Sequence, residues 1–144
     1  MKPLNEMTMT FDSRSANEAF ARTTVSAFVA PLDPLMDELC DIKTATSEAV
    51  TNCIVHAYGE SGIGKIYLTA RLYPERRLWI KIRDCGCGIE DIKQAMQPAY
   101  TGDPNGERAG LGFSIMCSFM DRVRVSSKPG KGTCVILEKR LSER

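Results

Sequence analysis

The chain has 144 residues, 43% apolar and 26% charged, with a formal net charge of +1 at pH 7. That length suits one domain, residues 1–144, with its own core and no room for a second ordinary one. The near-zero charge argues against direct nucleic-acid or anionic-membrane binding, and with neither a run near the ~20 apolar residues that span a bilayer nor an export-signal pattern, a cytoplasmic protein is expected.

The alternation Met-Thr-Met-Thr-Phe from Met7 to Phe11 predicts a short half-buried strand. Asp12 or Ser13 is placed to cap a helix from about Ser15 to Ala30, with Ala19, Phe20, Val25 and Phe28 near helical spacing. Pro31 and Pro34 break it, and Asp33 with Pro34 predicts an N-cap and first helical residue for a long helix to about Tyr58. Along that helix Leu35, Leu39, Ile42, Ala45, Ala49 and Ile54 mark an apolar side, and the glycines from Gly59 to Gly64 end it. Lys65–Tyr73 and Leu78–Arg83 read as a hairpin. A short helical turn is expected near Glu90 to Ala95, then a polar loop over residues 96–109. Leu111–Met120 has a helical pattern, and Arg122–Ser127 with Thr133–Lys139 forms a last hairpin. The basic residues gathered here, such as Arg122, Arg124, Lys128 and Lys139, alternate with apolar ones and read as a solvated strand face. The pattern predicts an α+β fold, a two-layer α/β sandwich with helices on one face of a mixed, mostly antiparallel sheet.

Six cysteines (residues 40, 53, 85, 87, 117 and 134) in such a chain suggest reduced thiols rather than a disulfide framework. Cys40, Cys53, Cys117 and Cys134 lie in apolar-periodic segments, as small hydrophobes do. Cys85 and Cys87, with a single histidine (His56) in the chain, fall short of a four-ligand structural zinc site.

Three stretches carry chemistry. Glu48 and Asn52 are four apart and share a helix face. The pair suits a hard cation such as Mg²⁺, or a general base beside a metal ligand; it also suits a solvated face. Asp84 closes a strand and enters a turn with Gly86 and Gly88, which let a flat ligand approach closely. A carboxylate there accepts from the exocyclic amine of adenine and repels the carbonyl of guanine. Gly110, Leu111 and Gly112 precede a helix whose N-terminal N–H groups suit phosphate. Arg108 is a candidate phosphate contact just before them, and Gly102 and Gly106 suggest a lid.

Two near-motifs fail. Residues 59–65 resemble a Walker A loop, but Ile66 stands where Ser or Thr must bind Mg²⁺, and the segment joins a helix to a strand. The Gly-x-Gly pairs lack the third glycine of a dinucleotide fingerprint.

In order, Glu48-x-x-x-Asn52, Asp84-x-Gly86-x-Gly88 and Gly110-x-Gly112, with Gly132-Thr133 in a late strand, resemble the N, G1 and G2 boxes of the GHKL ATP-binding superfamily. Locally, Asn17 to Arg22, Leu32-Asp33-Pro34, Ser47 to Asn52 and His56-Ala-Tyr58 resemble the bacterial anti-sigma-factor serine kinases, most of all the sporulation branch. The resemblance implies a Bergerat fold and a homodimer with two activities. One is capture of a sigma F-like sigma factor; the other is ATP- and Mg²⁺-dependent phosphorylation of a serine on a STAS-type anti-anti-sigma protein. Carried over, Glu48 is the base, Asn52 the Mg²⁺ ligand, and Asp84 the adenine contact supported by Thr133. Gly86, Gly88, Gly110, Leu111 and Gly112 shape the pocket, Arg108 meets the terminal phosphate, and Arg22 faces a partner. An ATP-gated sigma-binding module with little kinase activity, or the equivalent switch kinase of a general stress response, shares these motifs. Cys85 and Cys87 depart from the more polar residues expected in the glycine turn and raise thiol sensitivity.

Overall fold

The computed structural model describes residues 1–59, 62–96 and 112–143. Its elements run β1 (Asn5–Asp12), α1 (Ala16–Val29), α2 (Met36–Asn52), β2 (Lys65–Tyr73), β3 (Arg77–Asp84), α3 (Ile92–Ala95), α4 (Gly112–Phe119), β4 (Arg122–Lys128) and β5 (Gly132–Arg140). The five strands lie in the order β1-β2-β3-β5-β4. Every described pairing is antiparallel, so the expected mixed sheet has no parallel neighbour among the described residues.

Strict alternation in β2 and β3 explains the layering. Ile66, Leu68, Ala70 and Leu72 pair across to Asp84, Ile82, Ile80 and Leu78, and all point to the helical side. Val135 and Leu137 of β5 extend that face. Against it lie Val25 and Val29 of α1, Ile42, Ala49 and Val50 of α2, and Phe113 and Met116 of α4. Each fully buried aliphatic chain among them contributes about 2 kcal/mol of transfer free energy. The other sheet face has no helix packed on it among the described residues and carries Trp79 under the Arg71 guanidinium at 4.4 Å and Tyr67 under Arg83 at 4.2 Å. Arg122 and Arg124 reach Glu138 there, as a solvated strand face does. Lys139 differs: half-buried, it donates to the Phe119 carbonyl at 2.7 Å.

Three sequence expectations are corrected. Asp33 does not cap α2; it sits in the left-handed region at φ 50°, after a single 3₁₀ turn, Ala30–Leu32. Leu35, extended at φ −63° and ψ 154°, is the N-cap residue instead, so α2 starts at Met36, and the Glu38 carboxylate accepts the Leu35 N–H at 2.9 Å. Asp12 and Ser13 do not cap α1: Asp12 accepts from Lys65 at 2.6 Å, and the Ser13 hydroxyl accepts from the Gly64 N–H at 2.9 Å. Cys40 and Cys117 are exposed rather than packed, because they fall on the outward sides of α2 and α4; Cys53 is buried and Cys134 half-buried.

The end of α2 shapes the surroundings of Asp84. The helix does not run evenly to Tyr58: after Asn52 it widens into a π-helical turn, Cys53–Tyr58. Such turns recur at functional sites because the extra residue redirects the carbonyls beyond it. Here the Ala57 carbonyl turns to accept the Cys87 N–H at 2.9 Å.

One glycine ties the sheet to this region. Gly132 opens β5 at φ 108°, and a Cβ there would stand 2.1 Å from the Asp84 carbonyl oxygen, a backbone atom that cannot move aside cheaply. Gly132→Ala is therefore expected to destabilise the fold by about 2–4 kcal/mol, measured as a lower denaturant midpoint with unchanged m-value.

Candidate functional site

Two of the three sequence-predicted stretches lie within the described residues, together with Gly112 of the third. Glu48 and Asn52 are half-buried on the last turns of α2. Gly112 opens α4, and α4 packs on α2. A Cβ built on Gly112 would lie 3.1 Å from Asn52 Oδ1 and 3.2 Å from Glu48 Oε2. The carboxylate, the amide and the helix N-terminus therefore converge on one point, and the absent side chain at Gly112 leaves room for them. Arg108, Gly110 and Leu111, with the proposed lid glycines Gly102 and Gly106, lie outside the described residues.

Asp84 is 4% exposed at the end of β3. Its Oδ1 accepts from the Gly86 N–H at 2.9 Å and from the Thr133 N–H at 3.2 Å. The Thr133 hydroxyl does not reach Asp84 but shares a hydrogen bond of 2.8 Å with the Ser127 hydroxyl. Thr133 thus supports Asp84 through its backbone. Close to Asp84 lies the buried Cys53; burial first, and then the Asp84 charge, push that thiol well above its ordinary pKa. Cys53 therefore stays protonated at neutral pH and adds no second negative charge beside Asp84.

The turn after Asp84 is stitched on both sides. The Cys85 N–H donates to Tyr58 Oη at 2.7 Å, and Tyr58 Oη donates to the Lys65 carbonyl at 2.5 Å. Burial raises the Tyr58 phenol's pKa, keeping its proton available for that bond. The Gly130 N–H donates to the Cys87 carbonyl at 2.6 Å. Glycine is required at two points: a Cβ on Gly86 would meet the Ala57 carbonyl oxygen at 2.3 Å, and Gly88, at φ 76°, would meet the Lys128 carbonyl oxygen at 2.2 Å. The turn is thus wedged between the π-turn of α2 and the β4–β5 connection. Tyr58, Cys53 and Ser127 are site residues that the sequence reading does not single out. A tyrosine just before the glycines that end a helix is the one local signal for any of them.

Arg22 stands near the first pair. Its Nη1 donates to Glu18 Oε1 at 3.0 Å and lies 3.5 Å from the hydroxyl of Ser47, the neighbour of Glu48. A separate cleft of about 390 Å³, lined by residues including Tyr73, Arg77, Trp79 and Arg140, opens where β3 begins, at the opposite end of that strand from Asp84.

The donor set fits Mg-nucleotide on its own chemistry. Mg²⁺ takes oxygen ligands and keeps several waters, as one amide oxygen beside a carboxylate allows. A buried carboxylate held by two N–H donors is an acceptor suited to an exocyclic amine. A helix opened by glycine offers N–H groups to phosphate.

Comparison with known proteins gives the family. Residues 11–139 match the histidine kinase-like ATPase domain family. The chain is 54% identical to an anti-sigma F factor of Pasteuria penetrans over 95% of its length and 91% of that protein's. It is 50% identical to the anti-sigma F factor of Bacillus subtilis over 96% of its length and 94% of that protein's. In fold it is similar to a crystal structure of the RsbU and RsbW domains of a Mycobacterium tuberculosis protein. The TM-score is 0.72 at 20% identity, over 99% of this chain and 34% of that one. The chain belongs to the histidine kinase-like ATPase domain family and, within it, to the anti-sigma F factors.

Proposed function

We infer that the protein captures a sporulation sigma factor of the sigma F kind and, as a serine kinase, transfers the ATP γ-phosphate to a serine of a STAS-type anti-anti-sigma protein. It does so in the cytoplasm and as a homodimer. The observation that carries the kinase half is the convergence of Glu48 and Asn52 on the place a Gly112 Cβ would fill. Phosphoryl transfer asks mainly for positioning and charge neutralisation rather than covalent chemistry by the protein.

In this reading Asp84 takes the adenine amine, and Asn52 Oδ1 is the protein ligand for Mg²⁺. The metal, when bound, neutralises phosphate charge. The α4 N-terminus holds phosphate oxygens, joined by Gly110, Leu111 and Arg108. Glu48 accepts the proton of the partner's serine hydroxyl as the serine oxygen bonds to the γ-phosphorus and the bond to the ADP oxygen breaks. Arg22 meets the partner as it brings that serine to Glu48, a reading supported by its hold on Glu18 and its nearness to Ser47. Replacing it, Arg22→Ala, is expected to weaken capture of the sigma factor and the STAS protein by roughly tenfold. Nucleotide affinity should be unchanged, and parallel titrations of both partners and of ATP check it.

The test of the whole is transfer from γ-labelled Mg-ATP to a purified STAS-type protein, run beside sigma-factor capture with ATP and ADP. Label on a partner serine supports the kinase. Sigma capture with ATP binding but no transfer would leave an ATP-gated binding module instead. Sedimentation of the purified protein reads the dimer.

A further inference from the structure

We propose that Cys85 and Cys87 form an oxidative modification site: a hydroperoxide converts them to an intramolecular disulfide that dismantles the nucleotide-binding turn. The proposal rests on Asp84 and its turn being that binding site, and it makes ATP capture sensitive to oxidant.

Four observations carry it. Both thiols are exposed and separated only by Gly86, so an oxidant reaches either sulfur in the folded protein. The Arg83 guanidinium donates to Cys85 Sγ at 3.5 Å, and reactive cysteines sit in such partly exposed, electropositive surroundings. Cys87 Sγ is turned elsewhere, donating to the His56 carbonyl at 3.2 Å. Finally, the backbone between the sulfurs is held by the bonds that shape the pocket: Gly86 N–H to Asp84 Oδ1 at 2.9 Å and Cys87 N–H to the Ala57 carbonyl at 2.9 Å.

A disulfide requires the sulfurs about 2.05 Å apart with a fixed dihedral. Within three residues, the rotation must be absorbed by the peptides on either side of Gly86. Gly86 is pressed against the Ala57 carbonyl, with 2.3 Å between that oxygen and the position of a Cβ. The turn must therefore leave the π-turn, and Asp84 loses a donor that fixes it.

The chemistry balances. Cys85 gives its proton to solvent and its sulfur attacks one peroxide oxygen; the O–O bond breaks and water leaves, giving a sulfenic acid. Cys87 sulfur then attacks Cys85 sulfur, the S–S bond forms as the sulfenic S–O bond breaks, and the departing hydroxyl leaves as a second water with the Cys87 proton. Two thiols lose two electrons to one hydroperoxide. A dithiol reductant reverses the change.

The readout is unusually clean because trypsin, cutting after Arg83 and Lys93, yields a peptide of residues 84–93 that contains these two cysteines and no other. Full-length protein is treated with hydrogen peroxide, the remaining thiols are blocked, and the peptide is weighed. ADP affinity is measured before peroxide, after it and after dithiothreitol. The same series is run on Cys87→Ser and Cys85→Ser, each compared with itself.

The expected result is a peptide lighter by two hydrogens and unalkylated, with ADP affinity lowered at least roughly tenfold, the loss of one or two net hydrogen bonds. Dithiothreitol should restore both, and neither variant should show the reversible loss. Peptide gaining oxygen without closing the bond, a link to another cysteine such as Cys134, or a closed disulfide with unchanged affinity would each overturn the proposal. A reduced wild type that binds no nucleotide would instead sink the binding-site reading, while the peptide mass still decides whether the disulfide forms.

Discussion

Glu48→Gln is expected to cut phosphate transfer to the partner serine by roughly 10²–10⁴-fold, the usual worth of a positioned general base, while ATP affinity stays within a few-fold. The substitution keeps the size of the side chain and one acceptor oxygen, and it removes the capacity to take a proton. Glu48 makes no part of the apolar core, so the variant is expected to keep the fold. Single-turnover transfer at saturating Mg-ATP isolates the chemical step from binding. Retention of more than a third of the wild-type rate would show that another group takes the proton. The approach of Glu48 Oε2 to within 3.2 Å of a Gly112 Cβ position would then have a different meaning. A carboxylate so close to a helix N-terminus can also serve to position that helix.

Particular residues show what is legible in the sequence and what is not. β2 is readable to its ends because Ile66, Leu68, Ala70 and Leu72 alternate with polar neighbours without interruption. The start of α2 is easily misplaced because Asp33-Pro34 is a strong local helix signal. Tertiary attachment outweighs it: Glu38 both accepts the Leu35 N–H and takes the Ser142 N–H at 2.7 Å, from the far end of the chain. Such a contact has no trace in a local window. The site divides the same way. Glu48 and Asn52 emerge from a spacing of four on one helix, and the glycines at 86, 88 and 132 announce backbone positions closed to other residues. Nothing in residues 53–58 announces a π-turn, and without it the roles of Cys53 under Asp84 and of Tyr58 between Cys85 and Lys65 are invisible.

Asp84→Asn is expected to weaken ATP binding by roughly a hundredfold, the range for losing a hydrogen bond to a charged group and leaving a donor facing a donor. The amide keeps one oxygen for the Gly86 and Thr133 N–H groups, which lie 2.9 and 3.2 Å from Oδ1. It converts the second carboxylate oxygen into an N–H₂ group, which repels the adenine amine and welcomes the guanine carbonyl. The preference for ATP over GTP should therefore narrow along with the loss of affinity. That pairing of effects separates a base contact from a purely structural role, since a merely loosened turn would weaken both nucleotides alike. Some loss of stability, about 1–2 kcal/mol, accompanies the change because the buried charge strengthens the bonds that the Gly86 and Thr133 N–H groups make to it. Titrations belong at a temperature where circular dichroism shows the variant fully folded. Wild-type affinity in the folded variant would remove Asp84 from the base contact and leave it as the clasp of the glycine turn.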